Sequence, residues 1–240
     1  MKRKIAPKNM YAKRFCDALE KIAVNHSLWT VWQHFINIAA ISLANTMEVR
    51  TEIRTQRESL YHDIINQYNA DEQQCMVEMM SLLIQGYIEN SNQDFLGDIY
   101  MSLDFGDGWK GQFFTPWHVA EMMARGLVGN PEKDIKKKGY VSVCDPTCGS
   151  GVMLLAFASV FNNETGYSYN DNVLFVGQDI DPTVAKMTFI QLSLIGAAGY
   201  VKIGDALKDP ITTCDMGENV WFTPAYFSPS WIGKITASTN

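Results

Sequence analysis

Apolar positions in the first third of the chain repeat with a helical period. Ala18, Leu19, Ile22 and Ala23 fall on one face, and Trp29, Trp32, Phe35, Ile36 and Ala39 continue the pattern. The spacing predicts helices from about residue 8 to residue 90. The second is capped by Ser27 and runs to about Thr46, a polar third spans about Arg50 to Tyr68, and a fourth covers Cys75 to Tyr87 behind an N-cap at Asp71. No strand pattern interrupts them, so residues 1–108 read as a helical domain with Trp and Met side chains in its core. An amphipathic segment from Asp94 to Asp104 and a glycine turn after Phe105 close it.

From residue 109 to residue 240 the pattern is that of an α/β domain. Thr115 and Pro116 read as the N-cap and first-turn proline of a helix from His118 to Leu127. Lys133, Lys136, Lys137 and Lys138 fall in what reads as a loop. Val141 and Val143 then open a strand ending in Asp145. After it come Pro146, Thr147, Cys148, Gly149, Ser150 and Gly151, and an apolar helix to about Phe161. Strand, glycine turn, helix is the order by which a parallel sheet brings backbone against a ligand at a strand's carboxyl end. Asn162 to Asn172 reads as a polar loop. A second strand from Val173 ends in Asp179, Pro182 starts a helix to Ile195, and a third strand from Tyr200 to Ile203 leads to Asp205.

The carboxylates at these strand ends select the ligand. A pyrophosphate rests on bare N–H groups at a helix N-terminus, and Asp145 would repel it; the absence of Gly-x-Gly-x-x-Gly also speaks against a nicotinamide dinucleotide. Asp145 suits a ligand with an ammonium group and a sulfonium, and S-adenosylmethionine has both. Gly149 and Gly151 let its methionine end lie against the main chain. Asp179 is placed to accept two hydrogen bonds from a ribose. It lies 34 positions after Asp145, beyond the usual spacing of about 20, and the insertion at Asn162 to Asn172 accounts for the excess.

Composition narrows the remaining classes. A formal net charge of −6 argues against indiscriminate nucleic-acid binding. The basic clusters at Lys2, Arg3, Lys4, Lys8, Lys13 and Arg14 and at the later lysines read as solvated surface. Cys16, Cys75, Cys144, Cys148 and Cys214 are spread without Cys-x-x-Cys pairing, which fits reduced thiols rather than disulfides or a metal site. Cys144 and Cys148 read as packing residues beside the loop. The longest apolar run, Phe35 to Ala44, is far short of the roughly 18 residues of a membrane span, and no signal peptide is evident, so the chain reads as cytoplasmic.

Four segments together resemble the N6-adenine DNA methyltransferases, specifically the modification subunits of type I restriction systems. They are Gly111-Gln-Phe-Phe-Thr-Pro, Asp145-Pro-Thr-Cys-Gly-Ser-Gly, Gly177-Gln-Asp-Ile-Asp-Pro and Gly204-Asp-Ala-Leu. They occur in that family's order, and Phe95-Leu-Gly-Asp-Ile-Tyr and the helical domain are similar too. The resemblance covers about residues 90–208. It implies a helical N-terminal domain followed by a partial Rossmann-like, S-adenosylmethionine-dependent methyltransferase sheet. Phe113, Phe114, Thr115 and Pro116 would line the methionine end of the cofactor. Asp145, with Pro146, Thr147, Cys148, Gly149 and Gly151, would hold its amino-acid group, Asp179 the ribose, Ile180 the adenine face, and Asp205 with Ala206 the adenine amino group.

One part of the family pattern is missing. Its catalytic Asn- or Asp-Pro-Pro-aromatic segment, which holds a flipped adenine for transfer, has no counterpart here. The corresponding region reads Glu218-Asn-Val-Trp-Phe-Thr-Pro-Ala-Tyr-Phe, with Asn219 and Pro224 nearest by type but wrongly spaced, and its aromatics read as packing against the sheet. No catalytic residue is assigned. Two readings follow: a DNA adenine methyltransferase of a restriction-modification system, or a catalytically inactive cofactor-binding, regulatory or assembly module. Either takes DNA as the expected partner and leaves room for a homo-oligomer or a partner subunit that completes the sheet.

Overall fold

The computed structural model describes residues 9–105, 113–212 and 215–238. The basic cluster at Lys2, Arg3, Lys4 and Lys8, the glycine turn after Phe105, Gly111, Gln112 and Cys214 lie outside them. The chain divides into two units. One comprises Met1–Ser91 with Phe95–Phe114, the other Asn92–Asp94 with Thr115–Asn240. No helix among the described residues is long and apolar enough to cross a membrane.

The first unit is all helical: α1 (Met10–Ile22), α2 (Leu28–Ala44), α3 (Thr51–Ile65), α4 (Ala70–Glu89) and α5 (Phe95–Ser102). Its core gathers on Phe15, whose ring meets Trp32, Phe35 and Phe95 edge-on at centroid distances of 6.2, 5.0 and 5.9 Å. Such pairs add about 0.5–1.5 kcal/mol each beyond the area they bury. Two helix starts differ from expectation. Ser27 precedes α2 without a side-chain cap. The cap of α4 is Asn69 rather than Asp71: its carboxamide accepts from the backbone N–H groups of Asp71 and Glu72, and Glu72 accepts from the Asn69 N–H in return. A reciprocal box satisfies more of the exposed N–H groups than Asp71 alone would.

The second unit is an α/β layer. Its elements are α6 (Trp117–Val128), α7 (Glu132–Lys138), β1 (Val141–Asp145), α8 (Val152–Thr165), α9 (Tyr169–Asn172), β2 (Val173–Asp179), α10 (Pro182–Leu194), β3 (Gly199–Ile203), β4 (Val220–Phe222), a 3-10 turn at Pro224–Phe227 and α11 (Pro229–Ser238). β1, β2 and β3 run parallel in that order, and β4 pairs antiparallel on the far side of β3. The fold is therefore a helical N-terminal unit followed by a partial Rossmann-like sheet.

Three expectations are corrected here. Pro116 is itself the N-cap of α6, so the helix starts one residue later than Thr115 would set it. The lysine stretch is helical: acidic Glu132 and Asp134 occupy the first turn of α7 and Lys136, Lys137 and Lys138 the last, an arrangement that favours both ends of the helix dipole. The insertion at Asn162 to Asn172 is mostly ordered, because α8 continues to Thr165 and α9 fills its end. The aromatic tail packs as expected. Phe222 and Trp231 are buried with Leu174, Val176 and Tyr200 on one face of the sheet, and the Trp231 indole donates to the Asn170 carbonyl at 2.7 Å.

Candidate functional site

β1 and β2 bring two carboxylates to one edge. Asp145 aligns with Gly177, and Asp179 aligns with Ile203. Each acidic residue therefore stands two positions beyond its predecessor, an offset of about 6–7 Å per step. Asp205 is the third step, in the turn after β3.

The loop between β1 and α8 is held by this edge. The Cys148 N–H donates to the Gln178 carbonyl at 2.8 Å, and the Gly149 N–H donates to one oxygen of Asp179 at 2.9 Å. The other Asp179 oxygen accepts from the Asp181 N–H at 2.9 Å, and Asp145 accepts from the Thr147 N–H at 3.0 Å. Gly149 and Gly151 both have positive φ, 55° and 96°, and a Cβ on Gly151 would come within 3.0 Å of the Thr188 side chain. Only glycine relieves both constraints at that position.

The electrostatics are those of a site for a cation. Burial raises the Asp145 carboxyl above its ordinary range; the Thr147 N–H opposes that, and the nearby Asp179 charge adds to it. A positive ligand beside Asp145 would relieve that penalty. Asp205 is engaged locally, accepting from the Leu207 N–H at 3.0 Å and pairing with the exposed Lys208 at 3.3 Å. A surface pair of that kind contributes little and leaves lone pairs available.

The remaining sequence candidates separate by position. Pro146 and Thr147 are exposed on the loop, and Ala206 is half-buried beside Asp205. Ile180 is 68% exposed directly after Asp179. Cys148 is buried under the loop, where a Cβ on Gly177 would meet its Sγ at 3.2 Å. Burial pushes its thiol above the usual range, in keeping with a packing residue. Cys144, expected to pack as well, is exposed. Phe113 and Phe114 fall in the helical unit, where Phe114 lies 5.0 Å from the Tyr100 ring, whereas Thr115 and Pro116 belong to the sheet unit. Asn219 gives its amide to the Ile203 carbonyl at 2.9 Å and leads into β4. It serves a turn beside β3, on the side of the sheet away from β1.

Sequence reasoning missed the residues that fix these loops from behind. Thr188 donates to the Gly149 carbonyl at 2.7 Å. Gln191, fully buried on α10, donates to the Ser150 carbonyl at 2.6 Å and to Asp94 at 2.9 Å, and the Ser150 hydroxyl donates to the other Asp94 oxygen at 2.5 Å. Under the third loop, Gln178 accepts from the Ile211 N–H and donates to the Asp209 carbonyl, both at 2.8 Å. Lys202 bridges Asp209 and Asp215 at 2.8 and 2.5 Å. The available signal was polar side chains inside apolar elements: Thr188 and Gln191 within α10, Gln178 in β2 and Lys202 in β3.

A parallel sheet with a glycine turn after its first strand, and acidic residues closing successive strands, defines an α/β protein built to hold a nucleoside-type ligand. The chain matches the family described as N-6 DNA Methylase over residues 91–240, and it belongs to that family. It is 24% identical over 178 residues to the methylase subunit of the type I restriction enzyme MpnII of Mycoplasma pneumoniae, covering 74% of this chain and 28% of that one. With the corresponding subunit of MjaVIII from Methanocaldococcus jannaschii it shares 28% over 139 residues, 55% of this chain and 22% of the other. It thus spans about a quarter of the length of these relatives. Among solved structures it resembles one from Listeria monocytogenes described as a class I S-adenosylmethionine-dependent methyltransferase, with a TM-score of 0.48, 16% identity, and 95% and 70% of the two chains covered. It also resembles the type I restriction-modification methyltransferase subunit of Streptococcus thermophilus, with a TM-score of 0.45, 20% identity, and 90% and 43% covered.

Proposed function

We propose that this chain provides the S-adenosylmethionine-binding part of a DNA adenine-N6 methyltransferase of the type I modification-subunit kind. The observation that carries the reading is the glycine loop from Cys148 to Gly151, tied to Asp179 and bordered by the raised carboxyl of Asp145. The site fits that cofactor. Its amino-acid end is cationic where the two carboxylates repel each other, and a side chain at Gly151 would run into Thr188. Asp145 with the loop backbone would hold the amino-acid group, with Thr115 and Pro116 along the methionine end. The spare lone pairs of Asp179 would take the ribose hydroxyls, exposed Ile180 the adenine face, and Asp205 with Ala206 the adenine amino group. When bound, the cofactor supplies an electrophilic methyl group on sulfur, and the chain's contribution is orientation and charge.

Isothermal titration of the chain with S-adenosylmethionine should give a saturable, micromolar heat that Asp179→Ala abolishes. No heat at high micromolar cofactor removes the reading. A second reading, that this chain binds the cofactor without itself transferring the methyl group, is favoured by the placement of Asn219 in a turn leading into β4. DNA then remains the substrate of a larger assembly. A further chain segment or partner subunit beside β1, an edge strand of the described sheet, would complete it.

A further inference from the structure

We propose that Asp94, outside every segment assigned to the ligand, is the positioning residue that holds the glycine loop in its binding form; this rests on the cofactor reading above. Asp94 belongs to the sheet unit through the short segment Asn92–Asp94. It is 5% exposed, Ser150 is 1% exposed and Gln191 is fully buried. An ionised carboxylate only accepts, so the Ser150 hydroxyl must donate to one of its oxygens and the Gln191 amide to the other. The same Gln191 nitrogen spends its second hydrogen on the Ser150 carbonyl.

The consequence falls on the main chain. The carbonyls of Gly149 and Ser150 are both drawn toward α10, one by Thr188 and one by Gln191. A trans peptide sets its N–H opposite its C=O. The N–H of Ser150 is thereby turned away from α10, while that of Gly151 closes the loop on the Cys148 carbonyl at 2.8 Å. Of the two side chains that make this arrangement Asp94 orients Gln191, and it holds the Ser150 hydroxyl as well, without any assigned role on the ligand. Buried charge-assisted hydrogen bonds of this kind are stronger than neutral ones and lose most when one acceptor is removed.

Asp94→Asn keeps the shape but turns one acceptor into a donor, so the Ser150 hydroxyl must accept where it now donates, and both bonds lose the charge that strengthens them. The chain, Asp94→Asn, Ser150→Ala and the double variant are titrated with S-adenosylmethionine. Hydrogen exchange of the loop amides is followed in the ligand-free proteins. Each single variant should weaken binding about tenfold, and the double should be no worse than the weaker single, because both remove one shared contact. Exchange at Ser150 and Gly151 should accelerate in all three while β2 stays protected. Val160→Ala, a cavity in α8, should lower the melting temperature without moving the affinity. Additive losses, or unchanged loop exchange, would overturn the proposal. If the unaltered chain fails to bind the cofactor, the functional reading falls, and the exchange measurement still decides whether Asp94 holds the loop. Ser150→Ala alone decides it if Asp94→Asn does not fold.

Discussion

Asp145 is held at odds with its own stability. Its carboxyl is raised by burial and by Asp179 against the opposing Thr147 N–H, so ionising it costs more in the folded protein than in the unfolded chain. That cost is absent below the unfolded pKa, develops as pH rises toward the folded pKa, and is complete above it. Asp145→Asn should therefore raise the melting temperature of the ligand-free protein at neutral pH, with the gap closing in acid. The same change should weaken S-adenosylmethionine binding and flatten its pH dependence, since the native affinity must fall as Asp145 takes up a proton. Titrations and melts across a pH series check both halves. Gly151→Ala tests the backbone instead: a side chain at φ 96° beside Thr188 should cost about 2 kcal/mol, seen as a melting point lowered by roughly 5 °C.

At the scale of elements, the strands and the long helices were legible because periodicity reports burial. α2, β2 and α10 lie within a residue or two of their expected bounds. What was not legible depends on contacts between distant residues. A lysine-rich stretch looks like a loop until Glu132 and Lys136 are seen one turn apart at 2.5 Å and Gly139 ends the helix in the left-handed region. The core position of Arg57 within polar α3 was equally hidden. Glu48, 6% exposed, accepts from Arg57 at 2.9 Å and from Arg50 at 2.6 Å. Burial works against the Glu48 charge, but the two arginines outweigh it and hold its carboxyl low. Burial brings Arg57 down to about 10 despite Glu48. The contribution of Glu48 is present above its unfolded pKa and lost only as pH falls through the lowered folded value. Glu48→Ala should take the carboxylate away from the buried Arg57 guanidinium and destabilise the helical unit by about 3 kcal/mol, a loss that denaturant unfolding at neutral pH would record.

For the molecule as a whole, cofactor binding and methyl transfer make different demands on the sheet. Binding, as proposed, uses the carboxyl ends of β1, β2 and β3, and the carboxylates proposed for it were readable because each follows an apolar run. Transfer needs a donor and acceptor pair to hold the target base beside the methyl group, and the described strands place none there. The residues nearest by type, Asn219 and Pro224, flank β4, which occupies the side of β3 away from β1. β1 is an unpaired edge of the described sheet, and its exposed Ser142 and Cys144 share one sheet face with Leu174, Val176 and Tyr200, lining a cavity of about 520 Å³ there. An unpaired parallel strand is poised to accept another strand. The chain alone should therefore bind S-adenosylmethionine yet incorporate no label into unmethylated DNA from tritiated cofactor. Activity should appear only with the polypeptide that pairs with β1. Robust transfer by the isolated chain would show that a residue of this sequence completes the site after all, and Asn219→Ala would then be the first variant to test it.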